Sequence, residues 1–430
     1  MGAVKFGDPQ NIASRVDNHR KDSRLTNELP LGQLGPGDEN NYPPQKGVLS
    51  VSGVIAHDWI SETGGAEKVL DVMVETFPDA EILCLWNDVP ASRYPGRTVS
   101  ESWMAHTPLR HTKAVALPLM PSTWRQRPNT SAEWILASSH LFAHHVSLRG
   151  NNPDVRKFAY VYTPARYIWN PELDTRGAKW LPRLVSPSLR ALDRHRAQES
   201  YRVAAISEFV RERIRIAWGR DSEVIYPPVD VARIQSVAIW ADKLTGAERV
   251  VLDQLPRPFV LGASRFVPYK RLDLVIESGE AANLPVVLAG AGPQDRRLRE
   301  QAAQATVPVQ FVHAPSDRLL YALYEAASVF VFPAIEDFGI MPVEAMAIGT
   351  PVVARALGGG SETVLDGITG AHLSLEASAE DMESAIARAF GIDHEACRNL
   401  ARVFHGDRFA KELRLWMAEA ENPGKCQGKP

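Results

Sequence analysis

Two short segments of the 430-residue chain place charge where an anion can be held. In the first, the apolar run VLGAS at 260–264 leads into Arg265 and then Pro268-Tyr269-Lys270-Arg271, before a helix-forming stretch. Arg265 and Lys270 therefore stand at the carboxyl end of an expected strand and beside an expected helix N-terminus. Unpaired backbone N–H groups at such a place add to the side-chain charge. A planar guanidinium fork and a point-charged ammonium together suit a diphosphate, and a solvated basic turn is the competing reading. In the second, SVFVFPA at 328–334 precedes Glu336-Asp337-Phe338-Gly339-Ile340-Met341-Pro342-Val343-Glu344. Pro342 fits the first position of a helix, and Gly339 permits close approach of a ligand to the backbone. The N–H groups of Phe338, Gly339 and Ile340 are expected to face the same anion as Arg265 and Lys270. Glu336 can accept hydrogen bonds from sugar hydroxyls, and Glu344 can hold a ribose diol as acidic residues do in dinucleotide sites. The competing reading is a capping loop with surface acids.

Glycines mark three further turns. Gly358-Gly359-Gly360-Ser361-Glu362-Thr363 reads as a flexible loop entering a capped helix. Gly290 and Gly292 follow the run PVVLAG at the same expected sheet edge, yet no full GxGxxG fingerprint with a downstream acid is present. Gly64-Gly65 opens a helix after the first expected strand, where its N–H groups can face a phosphate, although a plain strand-to-helix turn explains it as well. ASSHLFAHH holds His140, His144 and His145; a lone histidine is more often structural, and the latter two can be surface residues. The spacing of the three histidines gives no metal site.

Positioning these residues requires alternating strands and helices. Apolar runs such as AEILCLW, WILAS at 134–138, FAYVY at 158–162, VAAIS at 203–207 and SEVIYPP at 222–228 are separated by helical stretches. After a polar stretch near 235–256 the alternation restarts with PFVLGAS, PVVLAG, PVQFVH, SVFVFPA and TPVVARA, five expected strands, with an amphipathic helix over 316–327. This pattern predicts an α/β chain of two doubly wound, Rossmann-like halves facing a deep cleft. The expected divisions are a flexible tail at 1–47, Rossmann-like domains at 48–235 and 236–404, one able to hold a nucleotide and the other a second substrate, and a terminal segment at 405–430 whose helix can return across the first half. Forty-eight Lys and Arg against 51 Asp and Glu give a net charge of −3, which argues against nucleic acid as a partner. Cys84, Cys397 and Cys426 are too few and too scattered for a disulfide framework or zinc cluster, so a reducing, cytoplasmic setting is expected. No apolar run approaches a membrane span, and no secretory leader is expected.

Most of 48–400 resembles the retaining glycosyltransferases of the GT-B fold, glycosyltransferase family 4, and especially bacterial mannosyltransferase-like members that build cell-envelope polysaccharides. HDWISETGGAEKVL, YTPARYIWNP, AAISEFVRERI, GASRFVPYKRLDLVI, EDFGIMPVEAMAIGTPVVA and GGGSETVLDGITG carry the resemblance, with the Glu-x7-Glu pair Glu336 and Glu344 as its specific mark. The resemblance implies that Arg265 and Lys270 bind the donor diphosphate, Glu336 the donor sugar and Glu344 the ribose. It implies that Gly65 lies near phosphate and acceptor, and His140 near the transferred sugar. Relatives often read His-Thr-Pro where this chain has Tyr162-Thr163-Pro164, and a tyrosine cannot act as a neutral-pH base.

The expected reaction moves a hexose from a nucleotide diphosphate sugar, GDP-mannose by resemblance and a UDP-sugar next, to a glycan or lipid-linked acceptor hydroxyl. The donor is a substrate, and no cofactor is expected. Asp-x-Asp is absent from the chain, so cationic side chains are expected to do the work of a divalent ion. Residues 176–220 hold eleven Lys and Arg against four Asp and Glu, with Trp180 and Leu181 among them, and VALPLMPSTW at 115–124 is apolar and aromatic. These features fit peripheral contact with an anionic inner membrane face, or a solvated arginine-rich helix. A sugar phosphorylase or epimerase and a silent nucleotide-sugar sensor are the alternatives from other classes.

Overall fold

Runs of Val, Ile, Leu and Ala that are apolar at every position belong in strands covered on both faces. The computed structural model, which describes residues 53–62, 64–129, 132–149, 155–169 and 180–418, bears this pattern out. The expected tail at 1–47 lies outside the described residues, as do residues 419–430 and the side chains of Trp180 and Leu181.

The first half of the chain supplies β1 (Gly53–His57), β2 (Glu81–Cys84), β3 (Val99–Glu101), β4 (Arg127–Asn129), β5 (Trp134–Ser139), β6 (Leu148–Arg149), β7 (Arg156–Val161), β8 (Arg202–Ala205) and β9 (Glu223–Val224). Seven of them form one sheet in the order β3-β2-β1-β5-β7-β8-β9, and all residues of β1 and β5 are buried. The second half supplies β10 (Val260–Ala263), β11 (Val286–Gly290), β12 (Val309–His313), β13 (Val329–Phe332), β14 (Val352–Arg355) and β15 (Gly370–Leu373). They form a six-stranded sheet in the order β12-β11-β10-β13-β14-β15, parallel throughout. The strand order reverses between β10 and β13, so the chain leaves their carboxyl ends side by side. The sixth strand was not expected. Gly370-Ala371-His372-Leu373 has no β-branched run, and Gly370 is held by close approach, since a Cβ there would lie 1.8 Å from the carbonyl oxygen of Val352.

Six helices bear on the site: α1 (Gly65–Thr76), α2 (Trp180–Ala197), α3 (Glu208–Trp218), α4 (Asp273–Ala281), α5 (Ile340–Ile348) and α6 (Gly406–Ala418). Val275 and Ile276 of α4 pack with Val260, Val286, Leu288, Val329 and Val331 in the core over the second sheet. By compactness the chain forms two units that do not follow the sheets. Ser61–Thr76, Ala159–Pro164 and the chain from Arg202 onward group together, and the segments ending at Ile60, Phe158 and Tyr201 form the other. Within the first of these units α6 lies on α1. Arg414 donates to the carbonyl of Thr76 at 3.2 Å, and the Phe409 ring meets Tyr160 edge-on at 5.4 Å.

Candidate active site

The loop after β10 is shaped by the loop after β11. The amides of Ser264 and Phe266 donate to the carbonyls of Ala289 and Ala291, at 3.0 and 2.8 Å. A Cβ on Gly290 would lie 1.8 Å from the carbonyl oxygen of Ser264, and one on Gly292 would lie 2.6 Å from that of Phe266. The two glycines thus give the Arg265 loop room to close down on β11. Arg265 itself is exposed and donates to the Tyr269 hydroxyl at 2.8 Å. Five residues on, Lys270 is buried, and its ammonium lies 5.6 Å from the centre of the Phe332 ring at the end of β13. It forms an ion pair with Glu336.

Glu336 reaches that position because its loop is held on both flanks. On one side Ser207, the N-cap of α3, donates to the carbonyl of Asp337 at 2.5 Å, and Arg213 pairs with the Asp337 carboxylate. On the other side the three glycines seat against it. The Gly359 amide donates to the carbonyl of Glu336 at 2.7 Å, and a Cβ on Gly359 would stand 2.3 Å from the Cα of Phe338. This segment was expected to be a flexible loop. It is instead a close-packed support, because glycine alone permits that approach. Its Glu362 accepts the first amides of α3, those of Glu208 and Phe209, both at 2.8 Å. Burial pushes the Glu362 carboxyl up to about 7 against those two donors.

Gly339 is the N-cap of α5 with a φ of 98°, a left-handed conformation that only glycine takes readily. The helix begins at Ile340, so Pro342 is its third residue and not its first as expected. Proline is tolerated there because the first four N–H groups of a helix have no intrahelical partner. Phe338 is buried with its ring 5.6 Å from Phe404. Glu344, one turn into α5, is buried, which raises its carboxyl pKa, and its opposing cation is Lys68 of α1 at 3.7 Å. The same compact unit brings Gly65 to the start of α5, where a Cβ would lie 2.8 Å from Cδ1 of Ile340. The exposed Gly64 faces Glu67, whose carboxylate accepts the Ser61 amide at 3.2 Å. The Tyr162 hydroxyl donates to the carbonyl of Ala66 at 3.2 Å, so it ties the first turn of α1 in place.

His140 belongs to the other unit. Its amide and those of Leu141 and Phe142 donate to the buried Asp58 carboxylate at 2.8–2.9 Å. The imidazole meets the Trp59 ring edge-on at 4.4 Å. Burial, with the Lys113 charge second, lowers its pKa to about 3, so the ring is neutral near pH 7. His144 and His145, expected at the surface, are both buried, because their side chains converge on Asp193.

Residues 248–402 match the family described as Glycosyl transferases group 1. The chain is 32% identical over 185 residues to the GDP-mannose-dependent alpha-(1-6)-phosphatidylinositol monomannoside mannosyltransferase of Mycolicibacterium smegmatis, covering 39% of this chain and 47% of that one. It is 31% identical over 201 residues to a D-inositol 3-phosphate glycosyltransferase of a Mycobacterium species, covering 43% and 44%. The chain thus spans about half the length of these curated relatives. The crystal structure of Anabaena HepE in complex with UDP superposes with a TM-score of 0.61 at 18% identity, over 85% of this chain and all of that one. Two parallel-sheet α/β halves of the GT-B glycosyltransferase kind are therefore the fold, as expected.

The matched segment 248–402 contains Arg265, Lys270, Glu336, Glu344 and their glycines, and it lacks Gly64, Gly65 and His140. Four residues around it were not anticipated. Lys68, Arg213 and Ser207 come from outside the segment, and Asp58 holds the His140 loop. Asp58 and Lys68 stand in the quoted stretch HDWISETGGAEKVL, the only signal that could have singled them out.

Proposed function

We propose that the chain is a retaining hexosyltransferase that moves mannose from GDP-mannose to an acceptor hydroxyl on a glycan or lipid-linked intermediate. One observation carries the reading. Lys270 and Glu336 meet at the carboxyl ends of the adjacent strands β10 and β13, with Arg265 exposed on the same loop and Glu344 one turn into the following helix.

The Lys270–Glu336 pair holds two opposite charges ready to separate onto opposite ends of one substrate. The ammonium goes to the donor diphosphate beside Arg265, and the carboxylate goes to hydroxyls of the donor sugar. Glu344 takes the ribose diol. In the reaction the bond between the anomeric carbon and the phosphate oxygen breaks, and a bond from the acceptor oxygen forms on the same face. The acceptor proton passes to the departing phosphate oxygen, and the nucleoside diphosphate leaves. Arg265 and Lys270 stabilise the growing negative charge without rearranging, which is electrostatic preorganisation. No enzymic nucleophile is needed, and no divalent ion is assigned a role. Mannose rests on the GDP-mannose-dependent relative. A UDP-sugar donor is the second reading, favoured by the UDP held in HepE.

A cytoplasmic enzyme acting on a lipid-linked acceptor would meet the inner membrane face peripherally. Among the described residues no helix is long and apolar enough to cross a membrane. Val115 and Leu119 are exposed beside Lys113, whereas Met120 and Trp124 of the same stretch are core residues. A thermal-shift screen of GDP- and UDP-sugars tests the donor. GDP-mannose is expected to raise the melting temperature of the wild type, and to do so without added magnesium and in chelator. The shift should disappear in Lys270→Ala and shrink in Glu344→Ala. A shift of equal size in all three proteins would overturn the site, and a shift with UDP-sugars alone would replace the donor.

A further inference from the structure

A second cluster of ionisable side chains lies in the unit that holds His140 and takes no part in the proposed transfer. His144 and His145 sit on the short turn Ala143–His145, and Asp193 faces them from the middle of α2. Both imidazole Nε2 atoms point at one oxygen of that carboxylate, at 3.0 Å from His144 and 2.9 Å from His145. None of the three side chains is more than 1% exposed.

We propose that His144, His145 and Asp193 bind one zinc ion as its three protein ligands. Three ligand atoms, one from each residue, lie within 4.8 Å of one another. Two imidazole nitrogens and a carboxylate oxygen are a donor set that zinc takes. Bond lengths of about 2.0–2.1 Å in a tetrahedral site put neighbouring ligand atoms about 3.3 Å apart. The two nitrogen–oxygen separations, 3.0 and 2.9 Å, need to open by a few tenths of an ångström, and all three ligand atoms already lie within 4.8 Å of one another. A water molecule completes the set.

The surrounding bonds have the form that fixes metal ligands. Trp169 Nε1 donates to the other Asp193 oxygen at 2.7 Å, which orients the carboxylate. Ser139 Oγ lies 3.0 Å from Nδ1 of His144, a bond that orients the ring with Nε2 towards Asp193. Lys157 donates to the carbonyl of His144 at 3.0 Å, and its charge is paired with Glu199 at 3.0 Å. A divalent ion would therefore meet a carboxylate and two imidazoles whose orientations are already fixed. Its role would be to clamp α2 to the turn after β5.

The full-length chain, produced with zinc in the medium and passed over chelating resin, tests the site by elemental analysis. The expected result is about one zinc ion per chain. His145→Gln and Asp193→Asn should fall to background while the donor-induced thermal shift persists. A wild type without zinc overturns the proposal, and so does zinc retained in both variants. If the variants do not fold, X-ray absorption of the zinc-loaded wild type decides. Two imidazole ligands support the site, and a first shell with sulfur or with oxygen alone overturns it. Neither outcome depends on the transfer reaction.

Discussion

The loops that carry Lys270 and His140 both follow buried parallel strands, and they treat charge in opposite ways. At Lys270 the charges are kept and paired. The ammonium and Glu336 neutralise each other across two strand ends, and Arg265 stands exposed beside them. At His140 the site charge is removed. Burial holds the imidazole neutral, and the nearby Asp58 carboxylate is occupied by three backbone amides. An exchangeable ion pair can accept a doubly charged leaving group, because a ligand that supplies both signs replaces both partners. A neutral ring braced against Trp59 can only shape a surface or make one hydrogen bond. Under the proposed function the first loop would supply transition-state electrostatics and the second positioning.

Lys270→Ala tests that division most severely. Losing one preorganised donor to the leaving group is expected to lower kcat/KM by about 10²–10³-fold, mostly in kcat. Nucleoside diphosphate release in a coupled assay measures it. A loss below tenfold would put the leaving-group charge elsewhere and dissolve the contrast. Glu344→Ala should act on binding instead. On the proposed reading its carboxylate would serve the ribose, away from the breaking bond, so the donor KM is expected to rise about tenfold with kcat nearly unchanged, the worth of one charged hydrogen bond. A fall in kcat with KM constant would move Glu344 into the reacting centre.

What the sequence made legible follows from range. Strands β10, β11, β13 and β14 are continuous apolar runs, and the residues just past them could be placed at strand ends from local pattern alone. Glu336, Glu344 and Lys270 were visible for that reason. Their fastenings were not, because each joins distant parts of the chain. Arg213 pairs with Asp337 across 124 residues, and Glu362 caps the start of α3 across more than 150. His144 and His145 looked like surface residues because nothing within the local sequence announces Asp193, 48 residues beyond His145. The glycine triplet misled for a different reason. Glycine marks both freedom and close approach, and only the neighbour at 2.3 Å shows which applies at Gly359.

The smallest expected effect concerns His140 and is a matter of pH. In the unfolded chain its imidazole takes a proton near pH 6.5, but in the fold it does so only near 3. The unfolded state therefore binds more protons between these values, so stability is unaffected above pH 6.5 and falls as the pH drops below it. The full effect is about 1.4 kcal/mol per pH unit, and the fifth of the side chain that remains exposed reduces it to about 1 kcal/mol per pH unit. Urea unfolding of wild type and His140→Asn at pH 7 and pH 5 isolates this contribution, since every other group is common to both. The variant should lose about 1.5 kcal/mol less than the wild type over that interval, which holds about 1.5 pH units below 6.5. In the same range the ring stays neutral, so the pH profile of kcat/KM should keep its shape in the variant. A limb near 6.5 that vanishes with His140→Asn would show the ring exchanging a proton during turnover. His140 would then belong with Lys270 among the groups whose charge does the chemistry.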